Sequence, residues 1–271
     1  FAAYEPDDTS GVEVNSPAPA VVGTWNGNYR LIDTPEKLAP FLKELKRRRR
    51  FAIDLETTGL DPLTANLVGV AICWEEGEAY YLAGRGPVGA DVLGAEEILA
   101  TLKPLLEDAT IFKINQNIKF DQNVLRRLGV ELRGVVGDSM IADYLLHSGD
   151  RGHGLDEMAQ RYLGHQNISI EELIGKKGKN QKTMDQVDTA KVCAYAAEDA
   201  DVAWRLAELL EPQLEPQGLR KLYDELEIPL IAVLADLEYV GIRIDAPFLK
   251  RLSDQMADQT RMNARKLFRL T

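Results

Sequence analysis

Phe51-Ala-Ile-Asp54-Leu-Glu56-Thr-Thr-Gly-Leu60-Asp-Pro62 opens as an apolar run, closes on turn-forming residues and carries two acids one residue apart. The β-forming start predicts a strand over residues 51–56, whose alternate side chains leave opposite faces. Asp54 and Glu56 then share a face, with Cα atoms about 6–7 Å apart, close enough to share a cation. Two readings stand: the face is open to water and the acids are ordinary surface, or it is covered and the acids serve a site. Helical patterns on both sides of this strand favour the second, because layered folds seldom leave a central strand exposed.

Working outward, Leu38, Phe41, Leu42 and Leu45 give helical spacing over 35–46. Strands are expected at 66–74 and 79–83, joined by the turn Glu75-Glu76-Gly77-Glu78, with a helix following at 95–106. A strand at 110–114, a helix at 118–128 closed by Gly129, a short strand at 135–137 and a helix at 138–147 continue the order. Further helices are expected at 155–163, 187–210, 218–239 and 247–270. The sum is an α/β fold with a mixed five-stranded sheet. Residues 1–27, with Pro6, Pro17 and Pro19 and no periodicity, read as a linker or disordered lead. A start at Phe1 rather than methionine points to a fragment whose natural neighbours are missing.

Within 187–210, Val192, Ala196, Ala203, Leu206 and Leu210 form an apolar stripe that contains Asp199. A carboxylate in a core-facing position calls for a cation, a donor network or an active-site opening, since burying it unpaired is costly. Tyr195 lies one turn earlier and reaches the same place. Glu198 and Asp201 are expected to face water. Asp121 sits in the first turns of a helix that Asn117 is expected to cap, and taken singly it is explained first by attraction to the helix dipole.

The chain has 43 acidic and 32 basic residues, a net charge of −11. That balance argues against a domain that grips duplex DNA tightly by itself. It is reconciled if the acids cluster where metal ions go and another body does the gripping. Basic residues concentrate at 43–50, read as a solvated face, and at Lys176, Lys177, Lys179 and Lys182. Cys73 and Cys193 form no Cys-x-x-Cys pattern, so neither a disulfide framework nor a thiolate zinc site is indicated, which suits a reducing cytoplasm. No apolar run or leader pattern suggests a membrane span or export.

Asp54-Leu-Glu56-Thr-Thr-Gly-Leu60-Asp61-Pro resembles the first motif of the DnaQ-like exonucleases, whose sheet is of the ribonuclease H-like class. Asn117-Ile-Lys-Phe-Asp121 resembles the second, and Tyr195-Ala-Ala-Glu-Asp199 the third in its tyrosine version. Gly178-Lys-Asn-Gln181 before the third motif, and the stretch from Glu227 to Asp245 after it, bring the resemblance closer to the proofreading domain of bacterial DNA polymerase I. The likeness covers roughly residues 28–271. It implies an exonuclease domain over 28–212 and, over 213–271, the helical start of a polymerase domain, too short for polymerisation.

The resemblance implies metal-dependent 3′-to-5′ hydrolysis that releases 5′-mononucleotides from single-stranded or frayed DNA ends. Asp54 would bridge two metal ions, Glu56 and Asp199 complete the first site, and Asp121 hold the second through water. Oxygen ligands without a His or Cys cluster favour Mg²⁺, with Mn²⁺ as a substitute. Tyr195 and Glu56 would orient the attacking water. Leu60 would wedge against the terminal base, and Gln116, Asn117 and Phe120 would contact sugar and base; core packing is the competing explanation for Leu60 and Phe120. The expected partners are the DNA end and the remainder of the polymerase chain, for a monomer in the cytoplasm. Two alternatives stay open: an RNA 3′-end-trimming exonuclease of the same fold, and a catalytically inert spacer.

Overall fold

Strand β2 (Arg50–Thr57) holds the first acids and lies in the middle of the sheet. The computed structural model describes residues 25–149 and 152–267, so most of the expected lead lies outside the described residues. The sheet has six strands rather than five, in the order β1-β4-β3-β2-β5-β6. The added strand is β1 (Asn28–Ile32), which pairs in parallel with the edge of β4 (Glu78–Ala83). Its half-exposed alternation and short apolar content hide it from periodicity. Strand β3 (Leu67–Glu75) is antiparallel to both β4 and β2, with the predicted turn at Gly77, whose φ is +78°. Strands β5 (Phe112–Asn115) and β6 (Val135–Asp138) extend the other side in parallel.

Period-two alternation sends the residues of β2 to two separate cores. Phe51, Ile53 and Leu55 face a core with α1 (Pro35–Leu45), α2 (Ala95–Leu106) and α3 (Ile118–Arg127). Ala52 faces the other, under the long helix α7 (Thr189–Leu214), together with Ala71, Ala79 and Ala83 of the sheet and Ala196, Ala197 and Ala200 of the helix. Alanine on both surfaces lets α7 lie close across the strands. By the same alternation Asp54 and Glu56 fall on the α7 side. A bulge in β3 opposite Glu56 and Thr57 ends the regular pairing where the acids stand.

The remaining helices are α4 (Ser139–Leu146), the short α5 (Leu155–Met158) continuing as a π turn at Ala159–Leu163, α6 (Ile170–Ile174), and α8 (Arg220–Leu222) continuing through a π turn at Tyr223–Glu227 into α9 (Ile228–Val240). The helix expected at 218–239 is present as one helical stretch from Arg220 to Val240 with a π turn inside it. Two compact units are distinguished, one ending at Ala235 and one from Asp236 onward that contains α10 (Ala246–Leu267). Packing continues beyond residue 212: Tyr223 is fully buried and its hydroxyl accepts from the Asp138 N–H at 2.8 Å. Trp25, expected in the lead, stacks on His165 with ring centroids 3.6 Å apart and has the Arg205 guanidinium 4.1 Å from its ring centroid. Among the described residues, no helix is long and apolar enough to cross a membrane.

Candidate active site

Asp54 is held by Asn115, whose side-chain amide donates to Asp54 Oδ1 at 3.1 Å and to Asp121 Oδ2 at 2.9 Å. One buried amide at the end of β5 thus ties the acid of β2 to the acid of α3. The Leu55 N–H donates to the other Asp121 oxygen at 3.1 Å, fixing α3 to the strand between the two motif acids. The sequence gives little sign of Asn115, a polar residue at the end of β5 two positions before Asn117.

Asn117 has left-handed φ of 58° and its side chain makes no cap, contrary to expectation. The buried carboxylate of Asp138 takes that role: its oxygens accept from the N–H groups of Asn117 at 3.2 Å and Ile118 at 2.9 Å, and one also accepts from Met140 at the start of α4. One side chain from β6 therefore caps two helices, satisfying N–H groups that a helix start leaves free.

Helix α7 brings Tyr195 and Asp199 over the same face. Asp199 is 9% exposed, Asp121 2% and Glu56 7%, while Asp54 is half-buried. All four carboxyls have pKa values raised by burial. The Asp54 charge adds to the rise at Glu56, Asp121 and Asp199, and Glu56 adds to it at Asp199. Hydrogen bonds from Asn115 to Asp54 and from Tyr195 to Asp199 oppose the rise only in part. The Tyr195 phenol is pushed far above its ordinary range, by burial first and then by the charges of Asp199, Glu56 and Asp54. It keeps its proton and acts as a donor.

The other expected contacts are spread more widely. Leu60 is 96% exposed, which removes core packing as its explanation. Phe120 is half-buried and packs against the core, as the competing explanation had it. Asn117 is exposed, and the amide of Gln116 is engaged at both ends: it donates to the His153 carbonyl at 2.7 Å and accepts from the Ser139 hydroxyl. The lysines at 176, 177, 179 and 182 are exposed.

Glu198 and Asp201 do not face water. Asp201 is fully buried and accepts from the Tyr29 hydroxyl at 3.0 Å, the Gly77 N–H at 2.9 Å and the Arg205 guanidinium at 2.9 Å. Glu198 accepts from the Ile168 N–H at 2.6 Å and meets His165 Nε2 at 2.8 Å. The error has a physical reason: α7 is enclosed beyond its sheet-facing stripe, by β1, the β3–β4 turn and residues 165–168, none of which its own periodicity reports.

Among the described residues, no three His, Cys, Asp or Glu side chains already stand in metal-ligand spacing. The donor set nonetheless fits hard divalent cations: four carboxyls converge from three elements, and beyond burial the Asp54 charge raises the pKa values of the other three.

A model of the 3′-5′ exonuclease family matches residues 29–215. The chain belongs to the 3′-5′ exonuclease family. Within this family it is of the kind found in bacterial DNA polymerase I: the polymerase of Pseudomonas aeruginosa is 38% identical over 228 residues, covering 81% of this chain and 24% of that protein. The exonuclease chain thus spans about a quarter of the length of the curated relatives it matches. The polymerase domain of Pol1 from M. smegmatis, solved with a DNA primer-template and dNTP, shares the fold with a TM-score of 0.67 at 24% identity, over 86% of this chain and 35% of that one. Brucella melitensis NrnC, solved with bound Mg²⁺, shares it with a TM-score of 0.58 at 24% identity, over 82% of this chain and 98% of that one. These likenesses agree with the mixed α/β fold.

Proposed function

We propose that this exonuclease removes nucleotides from single-stranded or frayed 3′ ends of DNA, as the proofreading part of a cytoplasmic, monomeric DNA polymerase I whose remaining body grips the duplex. The observation that carries this reading is the set of four acids, Asp54, Glu56, Asp121 and Asp199, gathered in one place with their strongest electrostatic neighbours of the same sign. Such an arrangement is costly unless cations join it. Two divalent ions of the Mg²⁺ or Mn²⁺ kind would supply charge neutralisation at the phosphate and a water of lowered pKa.

The chain's own residues hold and aim. Asp54 would help hold both ions, with Glu56 and Asp199 joining it at one and Asp121 at the other, and the Asn115 amide ties Asp54 to Asp121. Tyr195, protonated, would donate to the attacking water while the Glu56 carboxylate accepts a hydrogen bond from it and can take its proton; a phenol so raised does not serve as the base. Leu60, fully accessible, can press against the last base. Asn117 and Phe120 lie at the start of α3 beside the acids, and Gln116 reaches the strand only by leaving Ser139 or His153. A mismatched end costs less to unpair than a matched one, which gives selectivity for errors. The exposed lysines of 176–182 give the otherwise acidic chain a local place to attract phosphate.

The test is shortening of a 3′-mismatched DNA primer with Mg²⁺ or Mn²⁺, alongside Asp54→Ala, an RNA strand and a 3′-blocked primer. Stepwise loss of 3′ nucleotides that needs metal and a free 3′ end, and that falls on the order of 10²–10³-fold in Asp54→Ala, is expected. Faster loss from RNA would move the substrate class to RNA, and no cleavage at high enzyme concentration with either metal would overturn autonomous activity.

A further inference from the structure

Asn167 lies on the segment between the π turn at Ala159–Leu163 and α6, outside all three motifs. It is 8% exposed, and its amide Nδ2 stands 3.5 Å from Asp199 Oδ1. Its other end, Oδ1, is buried and has no hydrogen-bond partner among the described residues. An orphaned buried amide oxygen is expensive to keep and asks for a use. Asn115 repeats the pattern: its Nδ2 serves Asp54 and Asp121 while its Oδ1 is likewise buried and has no hydrogen-bond partner among the described residues. Two neutral amides therefore face the four acids, each giving its N–H to a carboxylate and keeping an oxygen in reserve.

What delivers Asn167 to Asp199 is the residue before Asp199 in the chain. Glu198 accepts from the Ile168 N–H at 2.6 Å and pairs with His165 Nε2 at 2.8 Å, gripping the segment on both sides of Asn167. The His165 ring is in turn stacked on Trp25 at 3.6 Å. Adjacent residues of α7 thus perform complementary tasks: Asp199 enters the acid cluster and Glu198 clamps the strand of chain that touches it.

We propose that Asn167 is a positioning residue for the exonuclease reaction, orienting the Asp199 carboxylate, and that Glu198 holds it there. The proposal rests on the reading of Asp199 as a metal ligand. Groups that orient a ligand from outside the coordination sphere commonly change metal affinity or activity by about 10–100-fold when removed.

The experiment compares wild type, Asn167→Ala, Asn167→Leu, Glu198→Ala and the Glu198→Ala/Asn167→Ala double variant. Thermal unfolding identifies the folded variants, and Mn²⁺ affinity is measured by titration beside kcat and KM on a single-stranded DNA primer. Wild-type cleavage abolished by Asp54→Ala secures the underlying reading first; its absence would sink that reading, not the role of Asn167 alone. Asn167→Ala and Asn167→Leu are expected to weaken Mn²⁺ binding and lower kcat, each about 10-fold or more, with KM changed less than about 2-fold. Leucine fills the space, so its failure to restore either quantity separates the amide's role from packing. Glu198→Ala is expected to reproduce the loss, and the double variant to be no worse than either single one. Mn²⁺ affinity and kcat within 2-fold of wild type in both folded Asn167 variants would overturn the proposal, and additive losses in the double variant would overturn the part assigned to Glu198.

Discussion

Asp199 and Asp201 stand two residues apart on α7, both buried, yet their surroundings are opposite. Asp201 is met by a hydroxyl, a backbone N–H and a guanidinium, contributed by Tyr29, Gly77 and Arg205. Asp199 is met by the charges of Asp54 and Glu56, relieved by the Tyr195 phenol and the more distant Asn167 amide. Asp143 on α4 belongs with Asp201: it is fully buried and is engaged by His153 at 2.6 Å, His147 at 3.2 Å and the Tyr162 hydroxyl. On the proposed function, burial alone does not separate a catalytic acid from a structural one. The sign of what surrounds it does, because a carboxylate supplied with donors has settled its desolvation cost and one supplied with other carboxylates has not.

The sharpest way to break this contrast is to exchange the phenotypes. Asp199→Ala should reduce cleavage of a DNA primer on the order of 10²–10³-fold while leaving the urea midpoint at neutral pH unchanged or raised, since it removes one repelling charge. Asp201→Ala should do the reverse. It strands Arg205 and Tyr29 and should cost about 3 kcal/mol of stability, with the folded fraction retaining its turnover. Two variants with the same effect on both quantities would erase the distinction.

A smaller effect follows from pH. The carboxyls of Asp54, Glu56, Asp121 and Asp199 have folded-state pKa values above their unfolded ones. From about pH 4 up to those raised values the folded chain holds more protons, so its stability falls as pH rises. Without divalent cations, the melting temperature should decline from pH 5 to pH 8. Asp121→Asn should flatten that slope by a few degrees, about 2–4 °C for each kcal/mol. Added Mg²⁺ should raise the melting temperature more at pH 8 than at pH 5, because it binds the ionised form.

The readable part of the site was local. Asp54 and Glu56 declare themselves by period-two spacing in an apolar strand, and Asp199 by interrupting an apolar stripe at period 3.6, because each signal lies within one element. The unreadable part was long-range. Nothing near Asp201 in sequence announces Tyr29, 172 residues away, or Gly77, 124 away. The expectation that Glu198 and Asp201 face water failed for that reason. Strand β1 was missed because an edge strand pairing in parallel with β4 needs no long apolar run, and Asn117 lost the capping role to Asp138, 21 residues on. The mixed α/β order survives these corrections, since it rests on elements whose patterns are internal.

The most direct test of the central claim is calorimetric titration of Mn²⁺ into the wild-type chain, Asp54→Ala and Asp201→Ala, with unfolding followed in parallel. The account predicts binding of two ions to wild type, loss of binding in Asp54→Ala without loss of fold, and wild-type binding by the folded Asp201→Ala chain. Equal binding by wild type and Asp54→Ala, or none by either, would contradict the assignment of the clustered acids as the cation site.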